Sequence, residues 1–138
     1  MATLLLIDDD PAVRQMLDVL FSGKHECHTA DRAEQAMELL EFQSYDVVIT
    51  DVSMPGLGGV EILRHIKQRH AIPVIVISGR ADQYHDTVLK MGAFAFFAKP
   101  FPLSELEAAV TRAIAHQQQV TSGNGASSNQ RSPEFPAA

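Results

Sequence analysis

The chain has 138 residues, is 46% hydrophobic and 20% charged, and carries a formal net charge of -6. That length suffices for one domain with a real core, in globular composition. The acidic balance leaves no basic footprint for nucleic acid or an anionic membrane, and the single cysteine excludes a disulfide framework within the chain.

The N-terminal apolar run is too short for a signal peptide, lacks a basic lead and ends in aspartates. No run is long and apolar enough to cross a bilayer. These features predict a soluble, cytoplasmic, single-domain protein.

The first predicted element is a strand at Leu4–Ile7, within "LLLIDDDPAV". It runs into three adjacent carboxylates, a charge conflict unless they divide the work. Asp10 stands before Pro11, which suits an N-cap followed by a first helical residue. Val13, Met16, Leu17, Leu20 and Phe21 then follow the spacing of one helical face. Gly23 suits a helix stop. Glu26–Thr29 is a weaker apolar run that fits an edge strand. Ala33, Ala36, Met37 and Leu40 mark a second helix, and Val47–Thr50 a strand ending at Asp51. Gly59, Ile62, Leu63 and Ile66 mark a third helix. Pro73–Ile77 reads as a strand ending in Ser78-Gly79. Tyr84, Val88 and Met91 form a looser helical face, stopped at Gly92. Ala93–Ala98 is the last strand, ending in Lys99-Pro100, and Leu103, Leu106, Val110 and Ile114 close the series.

The four stronger runs show little polar alternation, as strands buried on both faces of a parallel sheet do. Five alternations of strand and helix predict an α/β fold, a doubly wound open parallel sheet flanked by five helices. After His116 the chain becomes "QQQVTSGNGASSNQRSPEFPAA", polar, small and proline-punctuated. The predicted domain therefore covers 1–117, and 118–138 reads as a linker or disordered tail.

Ligands of such folds bind beyond the carboxyl ends of the strands. The strand ends deliver Asp8, Asp9 and Asp51, the Ser78 hydroxyl and the Lys99 ammonium to one rim. Singly, each has an ordinary reading as a cap, a turn residue or a solvated loop. Jointly they form a chemical inventory. Carboxylates held close raise one another's pKa unless a cation sits between them. Oxygen-only ligation suits Mg²⁺, which takes one or two carboxylates, waters and a phosphate oxygen. A carboxylate can also act as nucleophile and form an acyl-phosphate. Phosphoryl transfer then needs positioning and charge neutralisation, from a metal, a lysine and a hydroxyl.

From Thr3 to about Ala115 the sequence resembles the receiver domain of two-component response regulators (CheY-like), through "LLLIDDDP", "DVVITDVSMPGLGG", "PVIVISG" and "GAFAFFAKPF". The resemblance implies a flavodoxin-like strand order of 2-1-3-4-5. It implies Asp51 as phosphoacceptor, Asp9 as direct metal ligand and Asp8 as an acid acting through water or on its neighbour. It makes Ser53 the residue whose backbone carbonyl ligates the metal. Ser78 becomes the switch hydroxyl, Lys99 the family's lysine with a cis bond to Pro100, and Phe96 the aromatic switch position. The implied cofactor is Mg²⁺, with Mn²⁺ as a substitute. The implied partners are a sensor histidine kinase or phosphotransfer protein, and a second copy through the fourth helix, fifth strand and fifth helix. Direct nucleic-acid or membrane binding by this domain is not implied, and neither is an enzyme beyond its own phosphorylation and dephosphorylation. Gly58 departs from the aspartate often found there, Phe96 lacks the hydroxyl of the common tyrosine, and Phe94 occupies an often polar position. Phe97 reads as core, and an exposed Phe94 would favour docking.

Other readings have distinct requirements. An aspartate-nucleophile phosphohydrolase resembles a pattern with a second acid two residues after the nucleophile, where this chain has Ser53. A dinucleotide or flavin module needs a glycine-rich loop after the first strand, where this chain has aspartates. "HECH" has no second ligand pair at zinc spacing, and His65, His70, His85 and His116 read as scattered and solvated. Two alternatives stay within the family: a receiver that binds partners without phosphorylation, and the N-terminal fragment of a transcriptional regulator.

Overall fold

The computed structural model describes residues 1–53 and 59–127. Residues 54–58, Gly58 among them, and residues 128–138 lie outside the described residues. Ten elements alternate as expected: β1 (Thr3–Ile7), α1 (Pro11–Ser22), β2 (Glu26–Ala30), α2 (Ala33–Phe42), β3 (Val47–Asp51), α3 (Gly59–Arg69), β4 (Val74–Ser78), α4 (Ala81–Lys90), β5 (Ala95–Ala98) and α5 (Leu103–Ser127). All five strands run parallel, in the order β2-β1-β3-β4-β5. Among the described residues no helix is long and apolar enough to cross a membrane.

Strand parity builds the core. Leu4 and Leu6 of β1, Val47 and Ile49 of β3, and Ile75 and Ile77 of β4 pack with α1 and α5, through Leu17, Phe21, Leu106 and Val110. Their alternates Leu5, Ile7, Val48, Val74 and Val76 pack with α2, α3 and α4, through Ala36, Leu40, Ile62, Leu63, Ile66 and Val88. The three central strands are therefore buried on both faces, which is why they read as unbroken apolar runs. Each buried Leu or Ile contributes about 1.5–3 kcal/mol relative to exposure.

The last strand differs from expectation. β5 starts at Ala95 rather than Ala93, and its residues are half-buried, with Ala98 exposed. It lies at the edge of the sheet, with a strand neighbour on one side only, so its apolar run is not matched by two-sided burial. Phe96 packs towards the α2–α4 side and Phe94 and Phe97 towards the α1–α5 side, each partly buried. The fifth helix also continues to Ser127, past the boundary placed at 117. Gln117, Gln118 and Gln119 are good helix formers, so polarity there does not stop the helix.

The turns follow local chemistry. Asp10 is extended and its side chain accepts from the Ala12 amide at 2.9 Å, with Pro11 as first helical residue. Gly92 ends α4 at φ +99°, a left-handed conformation that favours glycine. The Lys99-Pro100 bond is cis.

Candidate functional site

The carboxyl edge of the sheet gathers the polar residues that the apolar strands cannot hold in the core. Asp8 follows β1 and is fully buried; Asp51 ends β3 and is 3% exposed. Asp9 is exposed at the mouth. One carboxylate oxygen from each of the three lies within 4.8 Å of the others. Buried carboxylates at such spacing require positive charge. Lys99 supplies it: Nζ donates to Asp8 Oδ2 at 2.8 Å and to Asp51 Oδ2 at 2.7 Å.

The remaining valences are filled locally. Asp8 Oδ1 accepts from the Asp10 amide at 2.9 Å. Asp51 Oδ1 accepts from the Ser53 amide at 2.7 Å and the Ser53 hydroxyl at 2.8 Å. The Asp8 carbonyl accepts from Arg14 at 2.8 Å, which pins the β1–α1 turn. The buried Thr50 hydroxyl donates to the Asp51 carbonyl at 3.0 Å.

Burial works against the Lys99 ammonium, but its hydrogen bonds to Asp51 and Asp8 outweigh that and raise its pKa. Burial, foremost, pushes the Asp8 carboxyl above the ordinary aspartate range; Lys99 and the Asp10 amide pull it back, and the charge of Asp51 pushes it further. The two directions agree physically. One ammonium serves two buried carboxylates, so the ammonium is held charged while the pocket keeps an excess of negative charge.

Ser78 is fully buried at the end of β4, one residue beyond Ile77, the register partner of Asp51. Its hydroxyl accepts from the Arg80 amide at 3.0 Å, and its carbonyl from the Lys99 amide at 2.8 Å. Phe96 lies further back on β5, edge-on to His85 of α4 with centroids 5.2 Å apart. The structure thus brings together Asp8, Asp9, Asp51, Ser53 and Lys99, sets Ser78 beside them, and keeps Phe96 away from the carboxylates. In "HECH", His25 Nδ1 accepts from the Ala2 amide, and His28 bridges Tyr45 and Glu26. Sequence reasoning missed the Ser53 hydroxyl contact; a serine two residues after an aspartate is a familiar side-chain-to-backbone partner, and that spacing was the available signal.

Oxygen donors from two strand ends, one exposed, with a lysine opposite, define a class: an α/β domain whose sheet edge can hold a hard cation beside an anion. The comparisons specify it. The family model described as response regulator receiver domain matches residues 4–111, and the chain belongs to that family. It is 35% identical over 117 residues to the DNA-binding transcriptional regulator NtrC of Escherichia coli K12, covering 83% of this chain and 25% of that one. It is 33% identical over 129 residues to the transcriptional regulatory protein AfsQ1 of Streptomyces coelicolor, covering 92% and 57%. The chain therefore spans about a quarter of NtrC. Among solved structures, a receiver domain protein from Clostridium thermocellum superposes with TM-score 0.79 at 32% identity, over 87% of this chain and 99% of that one. The response regulator TrrA from Thermotoga maritima, in complex with Mg²⁺ and BeF, superposes with TM-score 0.75 at 28% identity, over 82% and 99%.

Proposed function

We propose that this receiver domain accepts a phosphoryl group on Asp51 from a phosphohistidine of a sensor kinase or phosphotransfer protein, with Mg²⁺ as cofactor. The observation that carries the reading is the single Lys99 ammonium bonded to both Asp8 and Asp51 in a three-carboxylate cluster. The donor set fits the ion: oxygen only, with Asp9 exposed to offer its carboxylate and leave room for water. Asp8, Asp9, Asp51 and the Ser53 carbonyl would hold it. When bound, Mg²⁺ supplies charge neutralisation between the acceptor carboxylate and the incoming phosphoryl oxygens.

The protein's own residues do the rest. A carboxylate oxygen of Asp51 attacks phosphorus in line; the new P–O bond forms as the P–N bond breaks, and the donor imidazole leaves with that electron pair. Lys99 and the Ser78 hydroxyl in this reading take phosphoryl oxygens. The Ser78 hydroxyl then leaves the Arg80 amide, and the loop after β4 follows it. Phe96, only partly buried, turns into the space released, and the surface of α4, β5 and α5 changes. Phosphorylation in this reading biases two existing states; moving 1:99 to 99:1 takes about 5.5 kcal/mol of differential stabilisation.

That surface is also the proposed dimer contact. The similarity to NtrC and AfsQ1, both longer than this chain and named as transcriptional regulators, supports a place as the N-terminal part of such a regulator. Incubation with acetyl phosphate and Mg²⁺, followed by intact mass, tests the reading. One phosphoryl adduct is expected on the wild type and none on Asp51→Asn or in chelator. An Asp51→Asn protein modified at the wild-type rate would overturn the assignment. A beryllofluoride adduct dependent on Mg²⁺ and Asp51 is expected as well, since TrrA carries that complex.

A further inference from the structure

The end of the sheet away from Asp51 holds a second cluster. Glu41 lies at the end of α2, His65 one turn before the end of α3, and His70 just after it. Both helices lead into strands, β3 and β4, so their ends meet where those strands begin. One ligand atom from each of the three residues lies within 4.8 Å of the others. The two imidazoles stand with centroids 5.9 Å apart. Nε2 of His65 and Nε2 of His70 are buried, and neither has a hydrogen-bond partner among the described residues. They are the only such side-chain atoms among those residues, which corrects the reading of both histidines as solvated.

Two buried imidazole nitrogens with no partner are unusual. In the neutral tautomer that carries its proton on Nδ1, such an Nε2 has its lone pair free for a metal. We propose that Glu41, His65 and His70 form a binding site for Zn²⁺, with water as fourth ligand, clipping the end of α2 to the end of α3. Two imidazoles and one carboxylate are a zinc donor set, and too nitrogen-rich for Mg²⁺. Atoms about 2.1 Å from a shared zinc stand at most about 4.2 Å apart. The exposed Glu41 and the two partly exposed rings close that difference by side-chain rotation. Glu41, Arg69 and His70 also line a solvent-open groove of about 480 Å³, which gives an ion a path in. Arg69 is the opposing charge: its guanidinium is 3.9 Å from Glu41, a long and exposed pair that yields readily. Burial, with the neighbouring Arg69 and His70, lowers the His65 pKa against the pull of Glu41 and favours the neutral ring that a metal requires.

The test is a titration of the chain with Zn²⁺, and separately with Co²⁺, in excess Mg²⁺ so that the Asp8–Asp51 cluster is occupied. Zn²⁺ is expected to raise the melting temperature by about 5 °C or more at saturation, and Co²⁺ to give the visible bands of a tetrahedral site. His65→Gln and His70→Gln should each remove both effects. Glu41→Gln, at an exposed position that leaves folding intact, should weaken Zn²⁺ binding about tenfold or more. No shift with Zn²⁺ on the wild type, or a shift retained in both His70→Gln and Glu41→Gln, would overturn the proposal. The readouts do not involve Asp51, so the outcome stands apart from that of the phosphorylation assay.

Discussion

Lys99 Nζ donates to Asp51 Oδ2 at 2.7 Å, joining residues 48 apart in sequence. The contact reaches from the end of β5 to the end of β3, across β4. The same ammonium serves Asp8, so its removal leaves two buried carboxylates facing one another. Lys99→Met should therefore lose about 1–3 kcal/mol of stability at pH 7 in chelator. The deficit should shrink in Mg²⁺, because the cation replaces the missing charge. Urea unfolding of both proteins in both conditions checks this. Equal stability in chelator would show that the pairing adds nothing.

The raised pKa of Asp8 sets a pH dependence. Its folded value lies above the unfolded one, about 3.9, so the folded state holds the proton more tightly. Its contribution to stability is then full below the unfolded value and is lost as pH rises through the folded value. In chelator, Asp8→Asn should gain stability over wild type as pH rises from acid to neutral, and the difference should be flat above that window. In Mg²⁺ the order at neutral pH should reverse, since wild type gains the ion and the variant binds it weakly. Paired unfolding curves across pH, with and without Mg²⁺, measure it. A variant less stable than wild type in neutral chelator would refute the account.

The adjacent Asp10 should behave quite differently. Its carboxylate caps α1 through the Ala12 amide, so Asp10→Ala should cost about 0.5–2 kcal/mol while leaving Mg²⁺ affinity within a few-fold of wild type. Calorimetric Mg²⁺ titration beside urea unfolding separates the two effects. A large loss of Mg²⁺ binding would mean that Asp10 serves the ion together with its neighbours Asp8 and Asp9.

Cys27 offers a chemical check on β2. Burial first, and then the charge of Asp18, push its thiol up to about 11. The ordinary thiol value is 9.0, so the thiolate fraction at pH 8 should be lower by about a hundredfold, and alkylation slowed accordingly. Iodoacetamide labelling at pH 8, followed by mass spectrometry, should show Cys27 largely unmodified when free cysteine has reacted fully. Labelling at the free-cysteine rate would place the thiol in water.

Much of this arrangement is legible in the amino-acid sequence. Leu4–Ile7 and Pro73–Ile77 announced two-sided burial because a parallel sheet covered by helices leaves no polar face. Asp8, Asp9, Asp51, Ser78 and Lys99 were readable because each ends a predicted strand, and parallel strands share one carboxyl edge. What escaped depended on lateral position. Ala93–Ala98 reads like a central strand, yet nothing in its own residues says that no sixth strand lies beside it. The pairing of His65 with His70 depends on how α3 ends against α2, and the helical period places neither ring against Glu41. The Ser53 hydroxyl contact needed the rotamer of Asp51, which local sequence does not fix.

The parity of the strands has a last consequence. Among the described residues, none belongs to both core clusters, so the sheet acts as a party wall between two separately packed rooms. A rearrangement among α2, α3 and α4 meets the strands before it meets the α1–α5 cluster. Phe96 and Phe97, neighbours in β5, stand on opposite sides of that wall. A reporter group at each would show whether a signal at Asp51 stays in one room or crosses to the other.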